Sequence, residues 1–432
     1  MQISIISVFP ELYQPFLGTS LISRAIKQGT IGCQVQSFFK YVEPKERIDA
    51  PTFGHGAGML IRPEVVERAV QDIESVHGTA YKIFFSPAGT KLDQKLLEHI
   101  YQQASEKKHI MLLPARYEGM DARVEAVYAD QIISVGDFVL MGGDIPAMMF
   151  LEGMLRLLPG VVGKYESVTA DSFFGPFVDY PEFCAPVVWK GLMVPEVVRQ
   201  GDHGALAHWR RIQSVTRTLA HHFSWLRTHI AHKQDKALVL QHVPPHYVVL
   251  MHSQVMVGPE RTIGTTSVTS IDIHDISRSS RTYGIQGFFV VTPLVDQQKI
   301  VTTFLDFWNS DVGIEYNQSR HNALQNTQLA SDLEQVIDTI TAAHGANPLL
   351  ITTAARHYEH IPKVTYHDQS QVFAHNRPVL IILGTGRGLA PELLERADYM
   401  LIPVEGLSEF NHLSVRSAAA IILDRWLGIN PV

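Results

Sequence analysis

The sequence has few cysteines, no long hydrophobic run and no signal-like start. Its 432 residues include only 2 cysteines, Cys33 and Cys184, which excludes a disulfide framework and a cysteine zinc cluster. No apolar run reaches the ~18 residues that a membrane-spanning helix needs, and the first residues lack the basic segment of a signal peptide. We therefore expect a cytoplasmic protein with no membrane partner.

The chain also lacks an excess of basic residues. Residues 1–235 contain 23 Lys and Arg against 25 Asp and Glu, and the whole chain has a formal net charge of −7. Any nucleic-acid binding must therefore use local patches. Four histidines lie close together in residues 221–232, but no cysteine or carboxylate pattern accompanies them, so we predict no metal site.

What the first half does contain is an alternation of apolar strand-like runs with helical patterns, which predicts a parallel α/β sheet. Three successive predicted strands end in polar, turn-rich segments at 86–89, 114–119 and 135–143. The last of these belongs to the stretch 134–147, in which Gly136, Gly142 and Gly143 demand a sharp turn or a close approach. Ligands of such sheets bind beyond the carboxyl ends of the strands, so we expect one pocket there. A purely structural turn is the alternative.

Residues 181–233 predict a small helical module. It contains aromatic and basic residues at helical spacing, a content that suits RNA backbone contact, although solvated arginines on an ordinary helical cap fit too. These residues are Trp189, Trp209, Arg210, Arg211, Arg217 and Arg227.

The α/β pattern restarts near residue 236. Strands are predicted at 248–251, 287–292, 349–352, 378–383 and 399–403, and helices at 300–308, 329–342 and 413–426. The last strands lead into glycine loops at 384–388 and 404–407. Such loops fit either a phosphate site or a plain turn, and no Walker lysine is present. A dinucleotide-dependent dehydrogenase is disfavoured, because no Gly-x-Gly-x-x-Gly follows the first strand.

The first ~235 residues resemble the bacterial tRNA (guanine-37-N1)-methyltransferase family, TrmD, of the SPOUT superfamily. The matching segments occur in family order at 5–10, 53–60, 86–89, 116–121, 134–147, 159–163, 171–173 and 209–214. The resemblance implies an α/β SPOUT fold with a deep trefoil knot, and a homodimer that acts on tRNA. It implies domain bounds of 1–160 for the methyltransferase, 161–180 for a flexible linker and 181–235 for a helical tRNA-binding module.

The family binds S-adenosyl-L-methionine in the knot, mainly through backbone groups of three loops. Carried onto this chain, the resemblance implies cofactor-binding positions at Ser86, Pro87, Ala115, Arg116, Tyr117, Glu118, Val135, Gly136, Asp137, Phe138, Val139, Leu140, Gly142, Gly143 and Pro146. Two positions depart from the family pattern, since Ala115 replaces a usual glycine and Asp144 a frequent glutamate.

The family's catalytic residues match Asp171 and Arg156. Guanine N1 carries a proton, so its methylation needs a base and a group that stabilises charge on O6. The resemblance gives Asp171 the first role and Arg156 the second. Apart from the resemblance, the preferred interpretation of Asp171 is a loop or capping carboxylate. The family also implies a Mg²⁺ dependence, but no ligand set for that ion is visible.

Residues 240–432 resemble a second, little-characterised SPOUT family of predicted RNA methyltransferases. This implies a second knotted domain, whose cofactor positions would be Leu383, Gly384, Thr385, Gly388, Ile402, Pro403, Gly406, Leu413 and Ser414. Asn411, Ser414 and Arg416 suit either substrate contact or helix capping. The sequence does not indicate its RNA target. The alternative function is that of a non-catalytic RNA-binding or dimerisation module.

Overall fold

The computed structural model describes residues 1–54, 56–162 and 171–430. The chain forms two compact units, Met1–Phe174 and Gly175–Val432. Residues 163–170 of the predicted linker lie outside the described residues. Within the described ranges, no helix is both long and apolar enough to cross a membrane.

The N-terminal unit is built on a five-stranded, wholly parallel sheet in the order β2-β1-β6-β5-β7. A short antiparallel pair, β3 with β4, lies apart from it. The strands are β1 (Gln2–Ser7), β2 (Gly32–Ser37), β3 (Asp49–Pro51), β4 (Met59–Ile61), β5 (Tyr81–Lys91), β6 (His109–Leu113) and β7 (Gln131–Ser134).

Helices cover both faces of this sheet, and each face has its own hydrophobic core. The α-helices are Tyr13–Leu17, Ser20–Lys27, Pro63–His77, Gln94–Lys107, Ala122–Tyr128 and Asp144–Leu155. Pro63–His77 illustrates why they form. Proline at its start fits the first turn, and Val66, Val70 and Ile73 share one buried face. The predicted α/β architecture, with a parallel sheet flanked by helices, is confirmed.

The C-terminal unit contains a seven-stranded parallel sheet in the order β14-β13-β10-β17-β15-β18-β16. Two antiparallel pairs, β8 with β9 and β11 with β12, accompany it. The strands are β8 (Val188–Trp189), β9 (Leu192–Met193), β10 (His246–Met251), β11 (Val255–Val257), β12 (Thr262–Gly264), β13 (Gly287–Val291), β14 (Thr327–Ala330), β15 (Leu349–Thr353), β16 (Lys363–Val364), β17 (Val379–Gly384) and β18 (Tyr399–Leu401).

The helices of this unit form one structure with its sheet. They are Glu196–Arg199, His203–His221, Phe223–His229, Lys233–His242, Ser270–Thr282, Val295–Asn309, Asp311–Tyr316, Gln318–Leu324, Leu333–His344, Gln369–Phe373, Pro391–Glu395 and Val415–Leu427. Val215 and Phe223 of the predicted helical module lie in the same hydrophobic cluster as Ile381 and Trp426. The predicted boundary at 235–240 falls inside the helix Lys233–His242.

Arg227 ties the module to the last helix of the chain. Its guanidinium donates hydrogen bonds to the carbonyl oxygens of Asp424, Arg425 and Gly428 at 2.8, 2.7 and 2.6 Å. These carbonyls end the helix Val415–Leu427, where orphan acceptors and the helix dipole favour a cation. Burial lowers the pKa of Arg227. Its role is therefore structural, against the RNA-contact interpretation of this arginine.

Two local predictions need correction. The predicted helix at 329–342 is confirmed from Leu333 onward, but its first two residues belong to strand β14. The Asp332 side chain accepts a hydrogen bond from the Gln335 amide and so caps the start of the helix Leu333–His344. Trp189 lies in the β8–β9 hairpin, not on a helix.

Candidate active sites

The three polar segments of the N-terminal half lie side by side. Strands β6, β5 and β7 are neighbours, so the segments that follow them share one edge of the sheet. The segment 86–89 differs from a simple loop, because Phe85 and Thr90 both pair with Ile133. The four intervening residues bulge out of strand β5, and Ser86 accepts a hydrogen bond from the Ala88 amide at 3.3 Å.

The loops after β6 and β7 touch through two glycines. The Gly143 amide donates to the Ala115 carbonyl at 2.7 Å. A Cβ on Gly142 would lie 2.5 Å from Cδ of Arg116, and one on Gly143 would lie 2.9 Å from Cα of Pro114. Glycine is therefore required at both positions for the two loops to approach.

A buried carboxylate, that of Asp144, lies behind these loops. Asp144 is fully buried and accepts hydrogen bonds from Arg116 Nε at 2.7 Å, Ser7 Oγ at 2.6 Å and Tyr13 Oη at 3.0 Å. Burial and the Asp144 charge raise the pKa of Tyr13, which stays a donor. The Arg116 guanidinium also lies 4.8 Å from the centre of the Phe9 ring.

Sequence reasoning missed this role of Asp144. Its position in the first turn of a helix, just after two glycines, was the available signal, because helix N-termini favour carboxylates. Arg116 is predicted to bind the cofactor, but its side chain forms an ion pair with Asp144. Asp144 thereby joins the end of β1 to the loop after β6.

The other predicted cofactor positions divide into exposed and internal ones. Tyr117, Phe138, Val139 and Leu140 are exposed, whereas Gly136, Gly143 and Pro146 are buried. The side chain of Asp137 pairs with Lys91 at 2.8 Å, and the Glu118 amide donates to the Met59 carbonyl.

Backbone donors remain available at this edge. Among the described residues, the amides of Tyr117, Phe138 and Leu140 donate no hydrogen bond to protein. Free amides beside exposed apolar side chains suit a ligand that combines a flat heterocycle with polar groups, as S-adenosylmethionine does.

The two predicted catalytic residues are in contact. Arg156 follows the helix Asp144–Leu155, and its Nη2 donates to Oδ2 of Asp171. Both side chains are partly exposed. The helix that begins behind the glycine loops therefore ends at one member of this pair.

The C-terminal unit contains a cavity of about 770 Å³ at the carboxyl edge of its sheet. This volume lies in the ordinary range for small-molecule sites, about 300–1,000 Å³. Seven predicted cofactor positions line it, namely Leu383, Gly384, Thr385, Gly388, Ile402, Leu413 and Ser414, while Pro403 and Gly406 are not among the lining residues.

Three residues with open roles are now placed. The Ser414 hydroxyl accepts from the Ser417 amide at 3.4 Å, so Ser414 caps the helix Val415–Leu427. Asn411 donates to the Ala355 carbonyl at 2.6 Å. Arg416 pairs with Asp272 at 3.1 Å and approaches Asp275 at 3.7 Å.

Polar residues that the sequence did not single out also line this cavity. They include His252, Thr266, Asp272 and Tyr366, together with Arg261, Arg356 and Arg387. A histidine directly after strand β10 was the one sequence signal, since side chains at strand ends form sites in such sheets.

The described part of the chain has no group of three or more His, Cys, Asp or Glu residues that could hold a metal ion. We therefore derive no step through a Mg²⁺ ion.

Two family models match the chain. One, described as tRNA (Guanine-1)-methyltransferase TrmD, matches residues 1–227. The other, described as SAM-dependent RNA methyltransferase, matches residues 245–428.

Similar proteins include some that align with this chain over almost their full length. A tRNA (guanine-N(1)-)-methyltransferase of Nitratidesulfovibrio vulgaris is 36% identical over 434 residues, covering 99% of both chains. A protein of the same name from Oleidesulfovibrio alaskensis is 33% identical, again over 99% of both. One from Thermus thermophilus is 41% identical over 221 residues, which are 51% of this chain and 89% of that protein.

Proposed function

The chain belongs to the tRNA (guanine-1)-methyltransferase family TrmD, and we propose that its N-terminal unit methylates N1 of guanosine 37 in tRNA. S-adenosylmethionine, when bound, supplies an electrophilic methyl group. The observation that carries this proposal is the contact between Arg156 and Asp171, because the two groups that the reaction needs are next to each other.

Each residue has a chemical task. Guanine N1 becomes nucleophilic when its proton leaves, and the negative charge then spreads to O6. The Asp171 carboxylate takes the N1 proton, and the Arg156 guanidinium stabilises charge at O6. Arg156 and Asp171 neutralise each other when no guanine is bound. Guanine binding therefore replaces their ion pair with one contact from each residue to the substrate.

The cofactor is held by the loops that follow β6 and β7. We assign the free amides of Tyr117, Phe138 and Leu140 to its polar atoms, and the exposed side chain of Leu140 to its apolar part. The closely packed glycines 142 and 143 fix the shape of the loop after β7. A knotted SPOUT topology is part of this proposal.

A second copy of the chain covers the apolar surface near this site. Phe138, Val139, Met141, Ile145 and Met149 are all about half exposed or more. Monomers rarely leave such a cluster in water. We therefore propose a homodimer formed through this surface, with tRNA as the substrate and the cytoplasm as the location.

The C-terminal unit has a second methyltransferase function in this proposal. Its cavity, lined by seven of the nine predicted positions, would take S-adenosylmethionine for methylation of an RNA. The competing function is a non-catalytic RNA-binding or dimerisation module. A ligand cavity with unpaired polar groups favours the enzyme, because a docking module has no need of one.

Product analysis tests the N-terminal function. Unmodified tRNA carrying G37 is incubated with the full chain and S-adenosylmethionine, and nucleosides are identified by mass spectrometry. We expect 1-methylguanosine at position 37, with none in tRNA carrying A37. Methylation of both tRNAs, or of neither, would refute the proposal.

A further inference from the structure

His252 is a buried histidine with one unpaired nitrogen. It follows strand β10, lines the C-terminal cavity and is 1% exposed. Its Nδ1 lies 3.0 Å from Thr266 Oγ1, while Nε2 has no hydrogen-bond partner among the described residues. Buried polar atoms are nearly always paired, so an unpaired one at a cavity wall indicates a missing ligand.

The hydrogen bonds around His252 decide which nitrogen carries the proton. Thr385 Oγ1 donates to the Met251 carbonyl at 2.8 Å, since a carbonyl oxygen can only accept. Thr385 therefore accepts in its 2.6 Å contact with Thr266, and Thr266 is the donor there. Because that contact uses the only hydroxyl proton of Thr266, this hydroxyl accepts from His252 Nδ1. The Nε2 atom is then left with a free lone pair.

The surroundings keep this imidazole neutral. Burial lowers the pKa of His252 to about 4, against an opposing effect of Asp272. The lone pair on Nε2 is therefore present at neutral pH. Tyr366, another residue of the same cavity wall, also has a buried hydroxyl without a partner among the described residues. The cavity thus offers one defined acceptor and a second polar group to a ligand.

His252 lies to one side of the predicted cofactor loops. Strand β10 adjoins β17, and β15 and β18 follow on the other flank of β17. The loop at 384–388 follows β17 and contacts the segment after β10, whereas the loop at 402–406 follows β18. The cofactor would therefore extend from the loop at 384–388 away from His252 toward β18. The space beside His252 is left for the group that receives the methyl.

We propose that His252 Nε2 accepts the proton of the N–H or O–H group that the C-terminal unit methylates. This inference rests on the proposed methyltransferase function of that unit. The methyl–sulfur bond breaks as the bond from methyl to the acceptor atom forms. The acceptor loses its proton to Nε2, the imidazole becomes cationic, and S-adenosylhomocysteine leaves as a neutral thioether.

The cavity rim specifies the substrate further. Arg261, Arg356 and Arg387 line it, and their guanidinium groups have no ion-pair partner in the ranges that the structure describes. Three unpaired cations around one acceptor suit a nucleotide within an RNA strand, whose phosphates they would hold. The substrate is then an RNA nucleoside with a protonated acceptor atom.

The His252→Asn variant distinguishes the roles of the two ring nitrogens. The asparagine amide can still donate to Thr266, so the fold is kept, but the lone pair at the position of Nε2 is lost. His344→Asn serves as the control, because His344 lies outside the cavity and pairs with Tyr247. Leu413 is a predicted cofactor position with an exposed side chain, so Leu413→Trp fills that position without crowding the core. Thermal melting of every full-length variant checks the fold.

The assay uses RNA from cells whose only copy of the protein is Leu413→Trp. The N-terminal unit has already methylated this RNA, so new label reports the C-terminal unit alone. We expect wild type and His344→Asn to transfer tritiated methyl groups. We expect the His252→Asn rate to be at least about 100-fold lower, the usual loss on removing a general base. Calorimetry should still count two S-adenosylmethionine sites per His252→Asn chain.

The outcomes separate the two proposals. A folded His252→Asn variant with near-normal transfer would overturn the role of His252 and leave the methyltransferase function standing. Loss of one cofactor site in His252→Asn would also overturn it, since His252 would then bind the cofactor. If wild type transfers nothing to this RNA, the function of the C-terminal unit fails, and the inference fails with it.

Discussion

Arg156 donates a hydrogen bond to the carboxylate of Asp171, fifteen positions further along the chain. The two residues have opposite charges and, in the proposed function, complementary tasks on guanine. We propose that guanine binding separates the two groups before Asp171 takes the proton.

Replacement of Asp171 by Asn should nearly abolish methyl transfer. The amide keeps the size and the contact with Arg156 but cannot take the N1 proton, so kcat should fall by about 10²–10⁴-fold. Cofactor affinity, measured by calorimetry, should not change. Arg156→Lys is the companion variant and should lose less, because it keeps the charge. Near-normal turnover of Asp171→Asn would remove Asp171 from the role of base.

Replacement of Asp144 by Asn should destabilise the N-terminal unit. The change removes the fully buried charge that pairs with the partly buried Arg116, a loss of about 3 kcal/mol for a broken buried pair. Urea unfolding measures the difference. Asp137→Asn is the matched control, since Asp137 pairs with Lys91 on the surface and should cost less than about 1 kcal/mol. Equal effects of the two changes would contradict the structural role of Asp144.

A charge in the apolar surface should separate the proposed dimer. Met141 is 91% exposed in the single chain, so Met141→Glu costs a monomer little. At a dimer interface the same carboxylate would be buried without a partner, which is strongly unfavourable. Sedimentation velocity should therefore find wild-type dimers and mutant monomers. A wild-type monomer at micromolar concentration would contradict the proposed interface.

Acid should destabilise the C-terminal unit through His246. Its Nδ1 lies 2.6 Å from the Pro244 carbonyl and its Nε2 accepts from the Trp426 indole at 3.0 Å, so the neutral ring has both partners. Burial lowers the pKa of His246 to about 4. Below its ordinary value near 6.5, the unfolded chain binds a proton that the folded chain does not.

Stability should therefore fall as pH drops from about 6.5 to 4, with a slope of up to about 1.4 kcal/mol per pH unit for each such histidine. His252 adds to the slope in the same direction. His246→Gln should reduce the slope, whereas His203→Gln, at an exposed position, should not. Urea unfolding at several pH values measures both, and an unchanged slope in His246→Gln would refute the assignment.

Truncation after residue 235 should yield an aggregation-prone fragment. The cut ends the helix Lys233–His242 after its third residue, exposes Val215 and Phe223, and removes all three carbonyl partners of Arg227. Light scattering and limited proteolysis should report association and cleavage within 203–235. A fragment as soluble and as resistant as the full chain would indicate that the helices need no support from the C-terminal sheet.

The sequence predicted best those features that depend on local chemistry. Glycine and proline after apolar runs located the loops that follow β6, β7 and β17, because only a few residue types permit such turns. The segment 86–89 was predicted to follow a strand but lies inside β5 as a bulge, because Phe85 and Thr90 both pair with Ile133. This was not foreseeable, since a bulge depends on the neighbouring strand.

Features that depend on distant partners could not be predicted. The carboxylate of Asp144 accepts hydrogen bonds from Arg116 and from hydroxyl groups of the first strand and the first helix. These residues lie far apart in the sequence, so no spacing pattern links them. Arg227 was predicted to contact RNA. Its true acceptors lie about 200 positions further along the chain, so nothing in the local sequence indicated them. The predicted helix at 329–342 merged a strand with a helix, since β14 is short and Asp332 was not recognised as a cap.

The position of Asp171 in the chain sets a limit on its reach. Asp171 lies six positions before Phe177, whose side chain is buried in a hydrophobic core. Six residues of extended chain span at most roughly 20 Å. The proposed catalytic carboxylate is thus anchored by a short segment of chain and cannot move further than that from Phe177.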